Sequence, residues 1–565
     1  MKASKLRPYG LSLLALVATA SCGDDAADAL DVSGKAGSAG SAGVGGLAGS
    51  GGSVAGAAGS SAGNSGGTRP QGGRNGSAGA SEAGQAGEAG DIGAGGSPEV
   101  PAGCGDPTKE GVLVYQDIVA ETTWACPVYT LTQPIYVHST SETQTLLHIK
   151  PGVTIRGLKG VEPVKLPGAL IITRSGRLDA VGTPEKPITF TTAEPQDKWA
   201  PGAWGGLVLL GRASVNVPAN FENGGLPAGE VYAEALPKSA LGIYGSADGA
   251  SGGGGAAGAG GGGFAGAPDQ ADNDGWNCGV LKYARVNFAG FKAGSSKELN
   301  GVTIAGCGSE TLIDHVQVHR CSDDGIEVFG GSPRLSHIVL TGNQDDQFDW
   351  DQGFRGKVQF MAMQVHEDAD NADSCGIEAD GYATPDAPVG LPSGPRLWNV
   401  TVIASKVTQR GIRFRDGTQA FMSNAILAAH TDGVPKGLID IDHALTADYL
   451  ASGKLVVQHS IFCGGWPALG QADSKGTTYL EQDYFTGTGA GATGNQVMSA
   501  ASELWLNAFN QSQPDWVPAA TSLAAQGAAV PSDVDGSTFF DATATYRGAF
   551  KPGGEDWTAG WTTYP

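Results

Sequence analysis

Acidic side chains recur at matching positions in a series of short sequence repeats, and they are the residues best suited to do chemistry. The repeats read DGIE (residues 324–327), DQFD (346–349), CGIE (375–378) and RGIR (410–413). Their apolar third residues are 22, 29 and 35 residues apart. Because successive side chains of a strand point to opposite faces, aligning the repeats predicts which side chains share a column.

The alignment predicts one inward column and two outward columns. The inward column is Ile326, Phe348, Ile377 and Ile412. The first outward column is Glu327, Asp349, Glu378 and Arg413, and the second is Phe329, Asp351, Asp380 and Arg415. The pairs Asp323-Asp324 and Asp345-Asp346 fall at the turns that precede two adjacent repeats. Carboxylates stacked about 5 Å apart repel unless a cation, a bound proton or an arginine compensates them.

Three interpretations of these columns stay open. In the first, the carboxylates are solvated turn and ladder residues, which repel only mildly in water. In the second, the acidic turns hold Ca²⁺, a hard cation that takes 6–8 oxygen ligands. The candidate ligands are then Asp323, Glu327, Asp345, Asp351, Glu378 and Asp380.

The third interpretation is catalysis on a polysaccharide. Asp324, Asp346 and Asp349 could supply the general acid and base that cleave a glycosidic bond, with Arg413 as a further catalytic candidate. No nucleophile elbow, phosphate-binding glycine loop or H-E-x-x-H motif occurs, which excludes serine hydrolase, nucleotide-binding and zincin chemistry.

A second family of apolar strands alternates with the acidic repeats. Its members read IDHVQV (313–318), LSHIVL (335–340), LWNVTV (397–402) and MSNAIL (422–427). Such short repeats cannot bury an apolar face alone and must stack on one another. The sequence therefore predicts an all-β fold, a right-handed single-stranded parallel β-helix with loops inserted between its coils. His315 and His337 share one register with Asn399 in this family, where a polar residue is expected to cap a turn or face solvent.

Several longer motifs carry a family resemblance. They include LHIKPGVTI (147–155), GRLDAVGT (176–183), WGGLVLLG (204–211), GNQDDQFDW (342–350) and YRGAF (546–550). Residues from about 130 to 565 thereby resemble the exported bacterial right-handed parallel β-helix proteins of the pectin-lyase-like group, mostly of unassigned function. The resemblance implies the fold and export from the cytoplasm, and it implies little about chemistry.

The same resemblance suggests a lyase route as an alternative to hydrolysis. In pectate lyases of this fold, Ca²⁺ acidifies the α-proton of a uronate and a basic residue removes it; Arg410 or Arg413 would take that part here. The paired acids resemble those of polygalacturonases only loosely. The sequence has no Gly-His-Gly near them, and Arg413-Phe414-Arg415 replaces the Arg-Ile-Lys of those enzymes.

The N-terminal hundred residues read as an export signal followed by a tether. Lys2, Lys5 and Arg7 precede a short apolar run that ends in TASC (19–22), which resembles a bacterial lipobox with Cys22 as the lipidated residue. A stretch rich in glycine, alanine and serine follows and is too poor in apolar side chains to fold. It accounts for part of the 91 glycines among 565 residues, more than twice the average frequency of about 7%.

The remaining cysteines fit an oxidising compartment, with Cys104–Cys126 the expected disulfide and Cys307–Cys321 a second candidate pair. No cysteine and histidine spacing matches a zinc site. The net charge of −22 disfavours nucleic acid as a partner.

We therefore predict a signal peptide (1–21), a lipidated disordered tether (22–100), a parallel β-helix (101–485) with a flexible glycine-rich loop (245–266), and an irregular C-terminal segment and cap (486–565). Residues 537–550 are expected to pack as that terminal cap. The expected protein is a monomer, lipid-anchored to the cell envelope at the outer membrane or cell surface, that binds glycan or another surface ligand without catalysis. A polysaccharide lyase or hydrolase and an adhesin-like spacer are the alternatives, and Ca²⁺ is the one candidate cofactor.

Overall fold

The computed structural model describes residues 103–565 apart from 142, 161–165, 248–274, 295–296, 370–373, 406–409, 430–433, 435, 465, 467–469, 488, 506, 508 and 534. The predicted signal peptide, Cys22, the tether and most of the glycine-rich loop at 245–266 lie outside these residues. Among the residues described, no helix has the length and apolar character needed to cross a membrane.

Short strands make up most of the described chain. Its N-terminal part forms β1 (Val112–Val114), β2 (Thr122–Trp124), β3 (Val128–Leu131), β4 (Pro134–Val137), β5 (Thr145–Ile149), β6 (Thr154–Gly157), β7 (Ala169–Ile172), β8 (Gly176–Val181), β9 (Ile188–Thr192), β10 (Gly206–Leu210), β11 (Glu230–Tyr232), β12 (Ile243–Gly245), β13 (Gly279–Asn287), β14 (Phe291–Gly294), β15 (Lys297–Leu299) and β16 (Val302–Ala305). Its C-terminal part forms β17 (Leu312–His319), β18 (Ile326–Phe329), β19 (Arg334–Thr341), β20 (Phe348–Asp351), β21 (Lys357–Gln364), β22 (Ile377–Asp380), β23 (Arg396–Ala404), β24 (Ile412–Arg415), β25 (Ala420–Ser423), β26 (Ile426–Ala429), β27 (Ile439–Ile441), β28 (Leu455–Gln458), β29 (Ile461–Cys463), β30 (Gln471–Ala472), β31 (Thr478–Tyr479) and β32 (Gln496–Met498). Two short helices, α1 (Ala444–Ala451) and α2 (Glu481–Thr486), lie near the C-terminal end of the coil stack.

The strands stack into the predicted right-handed parallel β-helix. One parallel sheet of nine strands runs β4-β7-β10-β16-β18-β20-β22-β24-β27. The second, larger sheet contains the long strands β13, β17, β19, β21 and β23, each paired in parallel with the next. Each of these central coils therefore contributes one strand to the nine-stranded sheet and one long strand to the larger sheet. Coils nearer the ends contribute two short strands to the larger sheet instead, such as β5 with β6 and β25 with β26. The parallel ladder continues to β32, which pairs with β29, so the coils extend past the predicted boundary at residue 485.

Each long strand bends once, at a residue in the left-handed backbone region. These residues are Tyr283, His315, His337, Phe360 and Asn399, and Asn424 takes the equivalent place between β25 and β26; φ lies between 46° and 59° at all six. Asn tolerates this conformation because its short polar side chain can hydrogen-bond locally, whereas bulky residues rarely adopt it. His315, His337 and Asn399 thus share one register, as the sequence repeats predicted. The repeats did not reveal β21, because Phe360 replaces the polar bend residue that marks the other members.

The coil interior is apolar and closed. Ile326, Phe348, Ile377 and Ile412 are fully buried within it, as the predicted inward column requires. Trp350 and Phe414, two residues further along their strands, are buried there too. Burial of this kind stabilises each large apolar side chain by about 1.5–3 kcal/mol relative to leaving it in water.

The C-terminal segment, residues 499–565, does not cap the end of the solenoid as expected for 537–550. It contains no strand among its described residues and lies along the outer face of the larger sheet. Its backbone bonds side chains from several successive coils: Gln317 pairs with Thr563, Gln359 accepts from the N–H of Asp541, and Asn424 accepts from the N–H of Ala529. This outer face is apolar, with Val339, Ala362, Ile403 and Ile426 in contact with Trp505, Trp516 and Phe550. We call residues 499–565 the C-terminal strap.

Two disulfides join cysteines of the described chain. One links Cys104 to Cys126, with the two Cα atoms 5.4 Å apart. The other links Cys278 to Cys307, so the candidate pairing of Cys307 with Cys321 is wrong. Cys321 and Cys463 are buried free thiols, and Cys375 is buried as well. The coil geometry brings Cys278 beside Cys307 because β13 and β16 flank adjacent turns, a proximity that the linear spacing does not reveal.

Candidate functional site

The acidic columns lie on the outward side of the nine-stranded sheet in the predicted register. Glu327 pairs with Asp349, Asp349 with Glu378, and Glu378 with Arg413. In the second column, Phe329 pairs with Asp351 and Asp380 with Arg415. The parallel ladder of β18, β20, β22 and β24 therefore stacks these side chains rung above rung, as the repeats predicted.

The columns are buried instead of solvated. Asp324, Asp346 and Asp349, which were predicted for catalysis, are 7%, 4% and 8% exposed. Two insertions close over this side of the sheet: residues 212–245, which contain the hairpin β11–β12, and the hairpin β14–β15. The interpretation of the columns as solvated ladders is therefore wrong for these three carboxylates.

The first insertion is held in place by apolar packing and by a few polar contacts. Val215, Val217 and Val231 pack with Tyr244 on the outer side of β10 and β18. The Tyr244 hydroxyl donates to the Gln352 side chain at 2.8 Å, and the Asn216 side chain donates to the carbonyl of Gly381 at 2.8 Å. The insertion thus reaches the ends of β18, β20 and β22 and shields their carboxylates from water.

Two of the predicted catalytic carboxylates are used to hold neighbouring coils together. Asp324 Oδ1 accepts a hydrogen bond from the backbone N–H of Asp346 at 2.9 Å. Asp346 Oδ1 in turn accepts from the backbone N–H of Cys375 in the next coil. Each carboxylate therefore satisfies a buried N–H that the turn would otherwise leave unpaired.

Two groups of carboxylates could each hold a cation. Asp324, Glu327 and Asp349 place one oxygen each within 4.8 Å of one another, and Asp323, Asp324 and Asp345 do the same. Asp349 Oδ1 and Asn300 Oδ1 are buried and have no hydrogen-bond partner among the residues that the structure describes, while the Asn300 amide donates to Glu327 Oε2. We call Asp324, Glu327 and Asp349, with Asn300, the buried carboxylate site.

Asp351, Glu378 and Asp380, the other predicted metal ligands, do not join either group. Glu378 Oε1 lies 2.9 Å from the Arg413 guanidinium, and Asp380 Oδ1 lies 2.7 Å from Arg415 Nε. Asp351 accepts from the backbone N–H of Gln352. The arginines neutralise this end of the columns. At the other end, Lys292 forms an ion pair with Glu298 at 3.3 Å and lies near Asp323 and Asp345.

Arg413, the fourth predicted catalytic residue, is committed to two ion pairs. Its guanidinium contacts Glu378 at 2.9 Å and Asp442 at 2.7 Å. The rung of Glu378 separates it from Asp349. The four predicted catalytic residues are thus not gathered around a space that a substrate could enter.

Burial and mutual repulsion raise the pKa values of the carboxylates strongly. Burial is the larger cause for Asp324, Glu327, Asp346 and Asp349, and neighbouring carboxylates add to it. The pKa of Asp323 is raised to about 10, by burial and by a hydrogen bond and repulsion from Glu298. The columns therefore need either protons or a cation at neutral pH.

Sequence reasoning missed the residues that complete the site. Asn300 precedes Gly301-Val302 as Asp324 precedes Gly325-Ile326, and Val302 pairs with Ile326. The match of Asn-Gly-Val (300–302) to Asp-Gly-Ile (324–326) could have placed Asn300 one coil before Asp324 from the sequence alone. Glu298, from the hairpin β14–β15, carried no repeat signal because it belongs to an insertion.

A third group of possible metal ligands, Asp314, His315 and His337, is occupied by protein contacts. Asp314 bonds both His315 and His337 and forms an ion pair with Lys282 at 2.6 Å. The two imidazoles stack on each other at 4.1 Å and are flanked by Trp557 of the C-terminal strap. A lysine ammonium on the carboxylate disfavours a metal ion there.

Comparison with known proteins identifies the domain type. The family model described as pectate-lyase-like beta helix domain matches residues 116–234 and 238–516. No curated protein sequence matches the chain.

Two solved structures are similar to parts of the chain. One is full-length tailspike protein 2 from Escherichia coli O157:H7 bacteriophage CAB120, at 12% identity and a TM-score of 0.24, over 66% of this chain and 37% of the tailspike. The other is the C387A mutant of DFA-IIIase from Arthrobacter chlorophenolicus A6 in complex with DFA-III, at 10% identity and a TM-score of 0.20, over 67% of this chain and 85% of that one.

Proposed function

The chain belongs to the pectate-lyase-like β-helix domain family, and we propose that it is a lipid-anchored surface protein that binds glycan without cleaving it. One observation carries the non-catalytic part: Asp324, Asp346 and Asp349 are each more than nine-tenths buried. A polymer chain cannot reach carboxylates that lie beneath residues 212–245. Glycan is the proposed ligand class because the family takes its description from enzymes that act on a polysaccharide.

The test is to incubate the full chain with a panel of uronic and neutral polysaccharides, with and without Ca²⁺. We expect no new reducing ends and no unsaturated uronate beyond those produced by Asp346→Asn and Asp349→Asn. We also expect at least one polymer to retard the protein in affinity electrophoresis. Product formed by the wild type and lost in Asp349→Asn would establish an enzyme instead. If no polymer yields product and no polymer retards the protein, the adhesin-like spacer is favoured.

Lipid anchoring and export form the second part of the proposal. The TASC motif at 19–22 supports lipidation of Cys22, and the two disulfides suit an oxidising compartment outside the cytoplasm. Expressed in a bacterium with palmitate labelling, the full chain is expected in the membrane fraction with label attached. Cys22→Ser is expected to lose the label, while Cys463→Ser, which changes a buried free thiol, keeps it. An unlabelled, freely released wild type would refute the anchor.

We further propose Ca²⁺ as a structural cation of the buried carboxylate site. The orphaned Asp349 Oδ1 and Asn300 Oδ1 support the fit, because each is a buried oxygen that a cation would satisfy. Asp324 and Glu327 would supply the further carboxylate oxygens. In this proposal the cation holds β18 and β20 together at the coil turn and takes no part in turnover.

A further inference from the structure

A small open pocket lies on the other side of the coil turn from the acidic columns. Its volume is about 210 Å³, well above the roughly 10–15 Å³ that a cavity needs to hold one water molecule. Its lining residues are polar or charged: Ser309, Ser332, Arg334, Arg355, Lys357 and Asp535. Three of the six are cationic, in a chain whose net charge is −22.

Strand register places these cations together. Arg334, Lys357 and Arg396 are the first residues of β19, β21 and β23, and they are paired rung to rung in the parallel ladder. Arg355 precedes Lys357 by two residues and donates to the carbonyl of Pro392 at 3.1 Å. Like charges stacked at strand spacing of about 4.8 Å repel, so each needs its own compensation.

Two members of this column are compensated by the protein. Lys357 forms ion pairs with Asp533 and Asp535 of the C-terminal strap, at 2.7 Å for Asp533. The Arg396 guanidinium lies over the Phe421 ring, 4.1 Å from its centroid. Arg334 differs from both, because its side chain has no hydrogen bond or ion pair to any residue that the structure describes.

A second polar group of the pocket is also unsatisfied. Ser332 is only 4% exposed, and its hydroxyl has no hydrogen-bond partner within the described chain. Its backbone is held rigidly, since the N–H of Ser332 donates to the carbonyl of Cys307, next to the disulfide to Cys278. A buried hydroxyl without a partner is costly, and a bound ligand atom would relieve that cost.

We propose that this pocket binds a small oxyanion, held by the Arg334 guanidinium and the Ser332 hydroxyl. A guanidinium presents a planar fork of N–H donors that matches two oxygens of a carboxylate, sulfate or phosphate. The Asp535 carboxylate lines one wall of the pocket and repels the anion toward Arg334. The inference is independent of the proposed glycan binding and of the buried carboxylate site.

Equilibrium dialysis of the full chain against radiolabelled sulfate, and separately against phosphate and acetate, tests the pocket at constant ionic strength. We expect about one equivalent of at least one anion to be retained. Arg334→Met is expected to weaken retention at least tenfold, because a charge-assisted hydrogen bond is lost. Ser332→Ala removes one hydroxyl at the pocket and is expected to weaken retention severalfold, with unchanged far-ultraviolet circular dichroism.

Arg156→Met is the matched control, since it removes an arginine from β6 in another part of the larger sheet. It should leave retention unchanged. Acetate binding alone would assign a carboxylate ligand, and binding of sulfate or phosphate would assign a tetrahedral one. Absence of retained anion in the wild type, or equal retention by wild type and Arg334→Met, would overturn the proposal.

Discussion

Ca²⁺ added to chelator-treated protein is expected to raise its melting temperature, and Asp349→Asn is expected to abolish that rise. A cation that binds only the folded state stabilises it by about 2.7 kcal/mol when present at 100 times its dissociation constant. Asp349 decides the outcome for two reasons. Its Oδ1 is buried without a partner among the described residues, and one of its carboxylate oxygens lies within 4.8 Å of oxygens of Asp324 and Glu327. Differential scanning calorimetry with Ca²⁺, with Mg²⁺ and with chelator measures the shift.

The effect of Asp349→Asn on the melting temperature should have opposite signs in chelator and in Ca²⁺ if the buried carboxylate site binds a cation. In chelator, the variant should melt higher than the wild type. The wild-type Asp349 carboxyl has to bind a proton to stay buried beside Glu327 and Glu378, because its pKa is raised, whereas the amide is already neutral. With Ca²⁺ present, the order should reverse, because the variant has lost a ligand. Asp197→Asn, the same substitution at an exposed residue, should change neither value.

If neither Ca²⁺ nor Mg²⁺ changes the melting temperature of the wild type, the cation proposal is refuted. The raised pKa values would then mean that the columns hold protons. Mg²⁺ is expected to be the weaker ligand, because it keeps its waters and demands octahedral geometry, whereas Ca²⁺ accepts irregular sets of carboxylate and amide oxygens.

Arg415→Met is expected to lower the free energy of unfolding by about 3–5 kcal/mol. Arg415 Nε lies 2.7 Å from Asp380, and the guanidinium also approaches Glu378 at 3.5 Å. Its side chain is 17% exposed and that of Asp380 12%, so water cannot replace the guanidinium. Removing it leaves the buried Asp380 carboxylate without a counter-charge, while Glu378 keeps Arg413, and an uncompensated buried charge costs more than the ion pair itself contributes. Denaturant unfolding followed by tryptophan fluorescence measures the loss.

Two further variants separate the charge effect from lost packing. Arg320→Met removes an arginine whose partner Asp368 is largely exposed, and it should cost about 1 kcal/mol or less. Adding Asp380→Asn to Arg415→Met should recover part of the loss, because the uncompensated charge is then gone. Equal costs for Arg415→Met and Arg320→Met, or no recovery in the double variant, would contradict this account of the columns.

Much of the fold follows from local pattern. The repeats at 324–327, 346–349, 375–378 and 410–413 predicted the register of β18, β20, β22 and β24 because side-chain alternation and stacking leave one consistent alignment. The sequence did not reveal β21, because Phe360 occupies the bend position, where its ring packs against the ring of His337 in the neighbouring coil. Tertiary contact thus overrode the local signal at that coil.

The environment of the carboxylates could not be predicted in the same way. A strand pattern states which side of the sheet a side chain takes, and it carries no information about what covers that side. Residues 212–245 cover it by packing Val215, Val217 and Tyr244 against distant coils. The same limit explains the disulfide of Cys278 with Cys307, and the strap at 499–565 that lies along the stack instead of over its end.

The sequence by itself determined the β-helix, its inward apolar column and the identity of the stacked carboxylates, because these depend on periodicity along the chain. Only the tertiary structure decided that the carboxylates are sealed from solvent, that Arg413 and Arg415 neutralise one end of the columns, and that Arg334 and Ser332 share an open pocket. Burial and charge pairing are sums over residues far apart in the chain, so they exist only once the coils, insertions and strap have packed.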